Sequence, residues 1–394
     1  MKKIILVVFL YIMMLPLCFA EENSIQTEDN SPNDTLNLAT NAKSAIMIES
    51  STGKIIYEKN IDEQLPMASM TKMMTLLLIM ENIENGNLKW DEMVTTSEHA
   101  ASMGGSQIFL ETGEQMSVED LVKGICIGSG NDAAVAMAER IGGTEENFVK
   151  MMNDRAKELG LVNTKFQNAC GLDADNHYSS AHDMAFIAKE LVRHKKILEF
   201  TGTYEDYLRK NTDKSFWLVN TNKLVRYYQG VDGLKTGYTN TAGYCITTTA
   251  KRNDMRLITV VMGEPSSSIR NSETTAMLDY GFNTYEMNQL LSKETILSKE
   301  KVILGEKEFV EIISKEDINI LNTKIGTKRN VEYQVELEDI KAPVKKGDIV
   351  GKINVIENNQ TIMTIDATVN ETINKANIFS IYYRELVDIF KGNL

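Results

Sequence analysis

Three serine–lysine pairs with i, i+3 spacing occur in the chain: Ser51 with Lys54, Ser69 with Lys72, and Ser298 with Lys301. A serine hydroxyl becomes a useful nucleophile when a neighbouring base takes its proton, and a lysine can be that base only while it is neutral. Chance alone gives about two such pairs in a chain of this composition, so the spacing by itself carries little. Surroundings separate them. Ser51 falls in the turn Ser51-Thr52-Gly53, and Ser298 lies in a charged stretch of a β-patterned region. Ser69 opens the mainly apolar run Met70 to Met80, free of Gly and Pro, which predicts a buried helix beginning near Ser69. On a helix, residues i and i+3 share a face, so Lys72 can bring its amine to the Ser69 hydroxyl. Burial and a second cation close by would each lower the Lys72 pKa, and the helix N-terminus favours negative charge developing there.

Two other short motifs can supply the rest of such a site. Lys235-Thr236-Gly237, just before a β-patterned segment, offers a positive charge, a hydroxyl donor and, at Gly237, room for a substrate backbone. Ser129-Gly130-Asn131 sits in a Gly-rich break between two helical patterns. Taken alone, the first reads as a turn and the second as a helix-capping junction. In chain order the three make a set: serine–lysine on a helix, serine-x-asparagine in a helical region, lysine-threonine-glycine on a late strand. His177 and His182 are five apart and do not share a helical face, so they do not read as a metal pair. Asp173 and Asp175 read as loop or capping residues, and the 21 methionines as core filler.

The elements that must hold these residues follow from pattern. Ser44 to Glu49 and Lys54 to Tyr57 predict a hairpin. Helical patterns run from Ser117, with a capping-box sequence, to about Ile127, then over Asn131 to Ile141, Phe148 to Leu159, and Ala181 to Arg193 with Ser180 as N-cap. Tyr244 to Ala250 and Met255 to Met262 predict two strands about a polar turn, followed by a helix from about Ser268 to Tyr285. Strands at both ends with helices between them indicate one α/β domain, residues 41–285, with a helical insert. Short alternations at Lys301 to Leu304, Glu308 to Ile313, Val331 to Leu337, Gly351 to Ile356 and Thr361 to Ala367 indicate a small all-β domain, 286–370. In 371–394, Ile378, Phe379, Ile381, Tyr382, Leu386, Val387, Ile389 and Phe390 place apolar groups at i, i+3, i+4, i+8 and i+11 of an amphipathic helix that either packs on its own domain or lies in a membrane interface.

Composition bounds the function. With 42 basic against 55 acidic residues the net charge is −13, which gives no electrostatic footprint for nucleic acid. Lys2 and Lys3, an apolar run from Ile4 to Leu17, and Ala20 before Glu21-Glu22 read as a cleavable export signal, residues 1–20, followed by a polar tether, 21–40, with order expected from about Ala42. Export leaves Cys126, Cys170 and Cys245, read as buried reduced thiols.

The trio, together with Pro66 to Thr75, Ser129 to Ala133, Gly171-Leu172-Asp173, His177 to Ala181 and Lys235 to Asn240 with Ala242-Gly243-Tyr244, resembles the serine-type D-alanyl-D-alanine carboxypeptidase family of low-mass penicillin-binding proteins. The resemblance is close over 41–285 and looser beyond; Cys170 stands where the family leads one to expect histidine. It implies a penicillin-binding-protein/β-lactamase-like transpeptidase fold, an antiparallel sheet flanked by helices, with a β domain and membrane-associating helix behind it. It further implies Ser69 as nucleophile, Lys72 as base and Ser129 as proton relay. Asn131, Lys235, Thr236, Gly237, Tyr238 and Arg270 would bind the substrate, a peptidoglycan stem peptide ending in D-Ala-D-Ala. The backbone N–H groups of Ser69 and Tyr238 would form the oxyanion hole, and Arg270 would meet the terminal carboxylate. β-Lactams would be covalent inhibitors, no metal or cofactor is called for, and the enzyme would act at the outer face of the membrane or in the wall, peripherally attached. A class A-like β-lactamase would use the same trio with an added loop glutamate, and no Glu occurs between Lys165 and His182. A non-catalytic penicillin sensor is the other alternative.

Overall fold

The computed structural model describes residues 36–326 and 329–383. The expected export signal, most of the tether and the last part of the terminal helix lie outside them. Order begins earlier than Ala42: Ala39 is buried, and Lys59 Nζ donates to the Ala39 and Thr40 carbonyls at 2.8 and 2.9 Å.

Strand β1 (Ser44–Glu49) turns back into β2 (Ile55–Lys59). A single 3-10 turn, Ala68–Thr71, leads into α1 (Lys72–Glu84), so Ser69 lies on the tighter turn and not on the α-helix proper. Every residue of α1 from Lys72 to Met80 is buried, the mark of a core helix without a solvent face. Next come β3 (Met93–Thr95), the short α2 (Glu98–Ala101) and β4 (Gln115–Ser117), with β3 and β4 paired as a ribbon. Helices α3 (Val118–Gly128), α4 (Asn131–Gly142), α5 (Glu145–Glu158), α6 (Ala181–Leu191) and α7 (Lys195–Thr201) fill the middle of the chain. The two capping serines act as the sequence indicated: Ser117 Oγ accepts from Asp120 N, and Ser180 Oγ from Asp183 N, each at 3.2 Å. A second ribbon, β5 (Glu205–Leu208) with β6 (Phe216–Val219), precedes the short α8 (Leu224–Tyr227).

The chain then returns to the first sheet through β7 (Val231–Thr239), β8 (Gly243–Arg252) and β9 (Met255–Glu264), and α9 (Ser267–Thr284) follows. The sheet order is β2-β1-β9-β8-β7, antiparallel throughout. All six residues of β1 are buried because both faces are covered. Ile46 and Ile48 of β1, with Ile258 and Val260 of β9, join the core that contains α1 and α6. Met47 and Leu257 point the other way, toward α9, where a Cβ at Gly281 would come within 2.5 Å of Leu257. β7 is the edge strand, and it faces the 3-10 turn.

Beyond α9, β10 (Tyr285–Leu291) pairs with β13 (Ile318–Thr323), and a five-stranded sheet runs β11-β12-β16-β15-β14. Its members are β11 (Ile296–Lys301), β12 (Phe309–Ser314), β14 (Val331–Leu337), β15 (Ile349–Glu357) and β16 (Gln360–Val369). These strands enclose their own apolar core, with Val310, Ile312, Ile353, Val355 and Ile373 at its centre. The strand expected over 301–304 ends at Lys301; Ile303 makes only an isolated bridge to Lys341. Residues 378–383 are helical.

Candidate active site

The 3-10 turn is strained and held. Ala68 has φ +48°, a conformation that costs a residue with a Cβ about 1–3 kcal/mol and persists only where its surroundings enforce it. Two glycines lie close against that turn. A Cβ on Gly171, itself at φ +91°, would stand 2.0 Å from the Ala68 carbonyl oxygen and 2.8 Å from Ser69 N. A Cβ on Gly237 would stand 2.7 Å from the Met67 carbonyl oxygen. The space left by the missing side chain of Gly237 is therefore taken by the turn that carries Ser69, and not by a substrate backbone as the sequence suggested.

Held in this way, Ser69 Oγ lies 3.0 Å from Lys72 Nζ. The same amine donates to Asn131 Oδ1 and to the Cys170 carbonyl, both at 2.6 Å. Lys72 is fully buried, and burial lowers its pKa to about 8, against the opposing charge of groups that include Asp132. Asn131 stands at the first turn of α4 and ties the amine to the preceding loop through Nδ2 to the Gly104 carbonyl, 2.6 Å. That loop is fixed by the neighbouring buried Asp132, which accepts from the backbone N–H groups of Ile108 and Leu110 at 3.0–3.1 Å. Ser129 ends α3 in the left-handed region, φ +61°, and Gly130 begins α4. The helix-capping reading of Ser129-Gly130-Asn131 thus holds, and of the three residues Asn131 is the one in contact with Lys72.

On the other wall, Lys235 of β7 is buried, with Nζ 3.0 Å from the Thr236 carbonyl. Burial first, then repulsion from Lys72 and Arg270, holds its pKa well below the ordinary lysine range. The second cation exists, but burial is what depresses Lys72, and the repulsion between the amines bears on Lys235. Thr236 Oγ1 donates to Thr221 Oγ1 at 2.8 Å. Tyr238, 52% exposed, stacks on Tyr244 at 4.3 Å between ring centroids. Arg270 of α9 is buried behind β8, its guanidinium on Asn271 Oδ1 at 2.9 and 3.1 Å and on the Cys245 carbonyl at 3.4 Å. Cys126, Cys170 and Cys245 are free and buried.

The structure thus joins Ser69, Lys72 and Asn131 directly, sets Lys235 and Arg270 within electrostatic reach, and leaves Tyr238 at the rim. It adds groups that were given no role from the sequence: the Cys170 carbonyl, Thr221 and Asp132. Asp132 lies beside the serine-x-asparagine motif and could have been noticed as a buried acid at a helix start. A backbone carbonyl leaves no such trace. Asp173 is a loop residue as read, accepting from Thr239 Oγ1 and Thr241 Oγ1 at 2.8 and 2.9 Å.

A family model described as D-alanyl-D-alanine carboxypeptidase matches residues 28–266. A relative, D-alanyl-D-alanine carboxypeptidase DacF of Bacillus subtilis (strain 168), is 47% identical over 392 residues, 98% of this chain and 99% of that protein. The chain belongs to the D-alanyl-D-alanine carboxypeptidase family. Its activity is that of a serine-type D-Ala-D-Ala carboxypeptidase. Residues 285–375 match a second model, penicillin-binding protein 5, C-terminal domain. Among solved structures, penicillin-binding protein 5 of Haemophilus influenzae superposes with a TM-score of 0.69 at 33% identity, covering 85% of this chain and 98% of that one. Penicillin-binding protein D2 of Listeria monocytogenes, in an ampicillin-bound form, gives 0.56 at 34% identity over 61% of this chain and 98% of that one. The family's α/β domain with its antiparallel sheet, followed by an all-β domain, is the architecture described above.

Proposed function

We propose that Ser69 is the nucleophile of this carboxypeptidase and Lys72 its base. The observation that carries the reading is the 3.0 Å contact between Lys72 Nζ and Ser69 Oγ at a fully buried amine. A lysine lowered to about 8 is neutral in about a tenth of molecules at pH 7, enough to accept a proton as the bond forms. The Ser69 proton passes to Nζ while Oγ attacks the carbonyl joining two terminal D-alanines of a stem peptide. The oxyanion meets the backbone N–H groups of Ser69 and Tyr238, a stabilisation of about 3–4 kcal/mol per donor in such sites. As the C–N bond breaks, Ser129 relays the proton to the departing D-alanine amine, leaving an acyl-enzyme that water hydrolyses. Asn131 orients Lys72 and the substrate amide. Lys235, Thr236 and Arg270 receive the substrate carboxylate, whose charge offsets the repulsion between Lys235 and Arg270; Gly237 lets β7 close on the nucleophile turn.

β-Lactams acylate the same serine in this reading, which the ampicillin-bound Listeria relative supports. The enzyme works outside the cytoplasm, released from residues 1–20, on the outer face of the membrane. Its C-terminal helix is the anchor: Ile378, Phe379, Tyr382 and Tyr383 are each 66–82% exposed, an apolar face without cover among the described residues. Truncation after Asn377, which spares the buried Ile373, moves the protein to the soluble fraction with turnover intact; unchanged fractionation refutes the anchor.

The test of the catalytic reading is release of D-alanine from a D-Ala-D-Ala peptide together with covalent labelling by fluorescent penicillin. Ser69→Ala loses both. Labelling that survives in Ser69→Ala overturns the assignment.

A further inference from the structure

His177 touches neither Ser69 nor the cleft, yet it ends a hydrogen-bond chain that begins at the nucleophile turn. Thr71 Oγ1 donates to the carbonyl of Ala68, the strained residue, at 2.8 Å. His177 Nε2 lies 2.8 Å from the same hydroxyl. His177 Nδ1 accepts from Gln167 N at 2.9 Å, so the ring proton resides on Nε2 and points at Thr71. The chain has one direction: Gln167 N–H to Nδ1, Nε2–H to the Thr71 hydroxyl, and the hydroxyl proton to the Ala68 carbonyl. Each donor is used once. Thr71 is fully buried and His177 is buried beside Phe166, and burial lowers the imidazole pKa to about 4, so the ring stays neutral.

The place of His177 in the chain gives this contact its consequence. Lys165 and Tyr178 exchange backbone hydrogen bonds at 2.9 and 3.1 Å and so close the base of the segment between them. Gln167 and His177 stand just inside that base. The loop they close carries the Cys170 carbonyl that accepts from Lys72, Gly171 that presses on Ala68, and Asp173 that ties the loop to the β7–β8 turn. Steric pressure from Gly171 can exclude other conformations of the turn, but it cannot orient the Ala68 peptide; a hydrogen bond to its carbonyl can.

We infer that His177 is a positioning residue for acylation: acting through Thr71, it orients the Ala68 carbonyl and so holds Ser69 Oγ in line with Lys72 Nζ. The inference rests on Ser69 being the nucleophile. It predicts a loss in the rate of bond formation and not in the affinity with which a ligand first docks, because neither residue meets the ligand.

The experiment is time-resolved acylation of the enzyme by fluorescent penicillin over a range of concentrations, which separates the limiting acylation rate from the half-saturating concentration. Thr71→Val, nearly isosteric but without the hydroxyl, and His177→Phe each lower the limiting rate at least tenfold and leave the half-saturating concentration within about twofold. Thr71→Ser and His177→Gln, which keep the hydroxyl and the donor, stay within about threefold of the parent. The double variant Thr71→Val/His177→Phe is no more than about twofold slower than the slower single variant, as befits two links of one chain. Limiting rates for Thr71→Val and His177→Phe within threefold of the parent, losses confined to the half-saturating concentration, or losses that multiply in the double variant would each overturn the inference. Should His177→Phe fail to fold, the Thr71→Val and Thr71→Ser pair decides alone. Ser69→Ala, run alongside, separates the two failures: labelling that survives there sinks the nucleophile and with it this inference, whereas labelling lost there with parental limiting rates in Thr71→Val and His177→Phe sinks the positioning chain alone.

Discussion

Ser69 with Lys72 and Ser298 with Lys301 have identical spacing in two regions of one chain, and the contrast between them shows what turns a spacing into a site. The first pair straddles a 3-10 turn and the start of a core helix, where i and i+3 share a face, and the two side chains meet at 3.0 Å. The second lies on β11, where residues three apart face opposite sides of the sheet. Lys301 is exposed there, and the Ser298 hydroxyl is buried without a partner among the described residues. Ser51 gives a third outcome, its hydroxyl held by Glu49 Oε2 at 2.8 Å in a hairpin turn. Chemistry enters only where local geometry brings the pair together and burial strips the amine of water. Lys301 and Ser298 meet neither condition: the side chains part across the strand, and the lysine is exposed.

The largest effect that sharpens this contrast is expected from the lysines. Lys72→Arg keeps the charge but installs a group that does not give up its proton, and D-alanine release should fall by about 10²–10⁴. Lys301→Arg should leave release within about twofold. A Lys72→Arg enzyme of near-parental activity would mean that position 72 supplies charge and not proton transfer.

A smaller effect separates the regions by backbone packing. Gly171→Ala drives a Cβ into the Ala68 carbonyl from a residue at φ +91°, whereas Gly347, at φ +88° in the β domain, has nothing within 4 Å of the same position. Gly347→Ala should cost about 1 kcal/mol of stability from backbone strain alone, and Gly171→Ala clearly more, with acylation slowed as well. Thermal unfolding and penicillin labelling of the two variants measure the difference. Equal effects would show that the nucleophile turn is not held from the Gly171 side.

Much of this was legible in the chain. The capping serines Ser117 and Ser180, the core helix after Ser69 and the β8–β9 hairpin each announce themselves through local chemistry or period. The ribbons β3–β4 and β5–β6 do not, because three- and four-residue strands owe their form to the helices they lie on, and neither do β10 and β13, whose partners are distant in sequence. In the candidate site, motifs gave Ser69, Lys72, Asn131 and Lys235, residues recognised by their side chains. They named Gly171 and Gly237 without showing what each glycine makes way for, the Ala68 carbonyl and the Met67 carbonyl, and a backbone acceptor such as the Cys170 carbonyl leaves no side-chain pattern. His177 was read as a poor metal ligand and as part of a segment that resembles the family, but its partner could not be seen, since Thr71 is 106 residues away in the chain.

The central claim is that a neutral Lys72 takes the Ser69 proton, and the pH dependence of the acylation rate tests it most directly. The fully buried amine loses its proton near pH 8, so the fold binds fewer protons than the unfolded chain from there up to the ordinary lysine range, and this group adds stability as pH rises through that window. Below pH 8 both states hold this proton and the group's contribution to stability no longer changes with pH, so the expected acylation limb below 8 does not reflect a change in that contribution. Acylation by fluorescent penicillin should climb tenfold per pH unit below a midpoint near 8 and level off above it, with that limb absent in Lys72→Arg. A rate that is flat from pH 6 to 9, or a limb that survives in Lys72→Arg, would contradict the account.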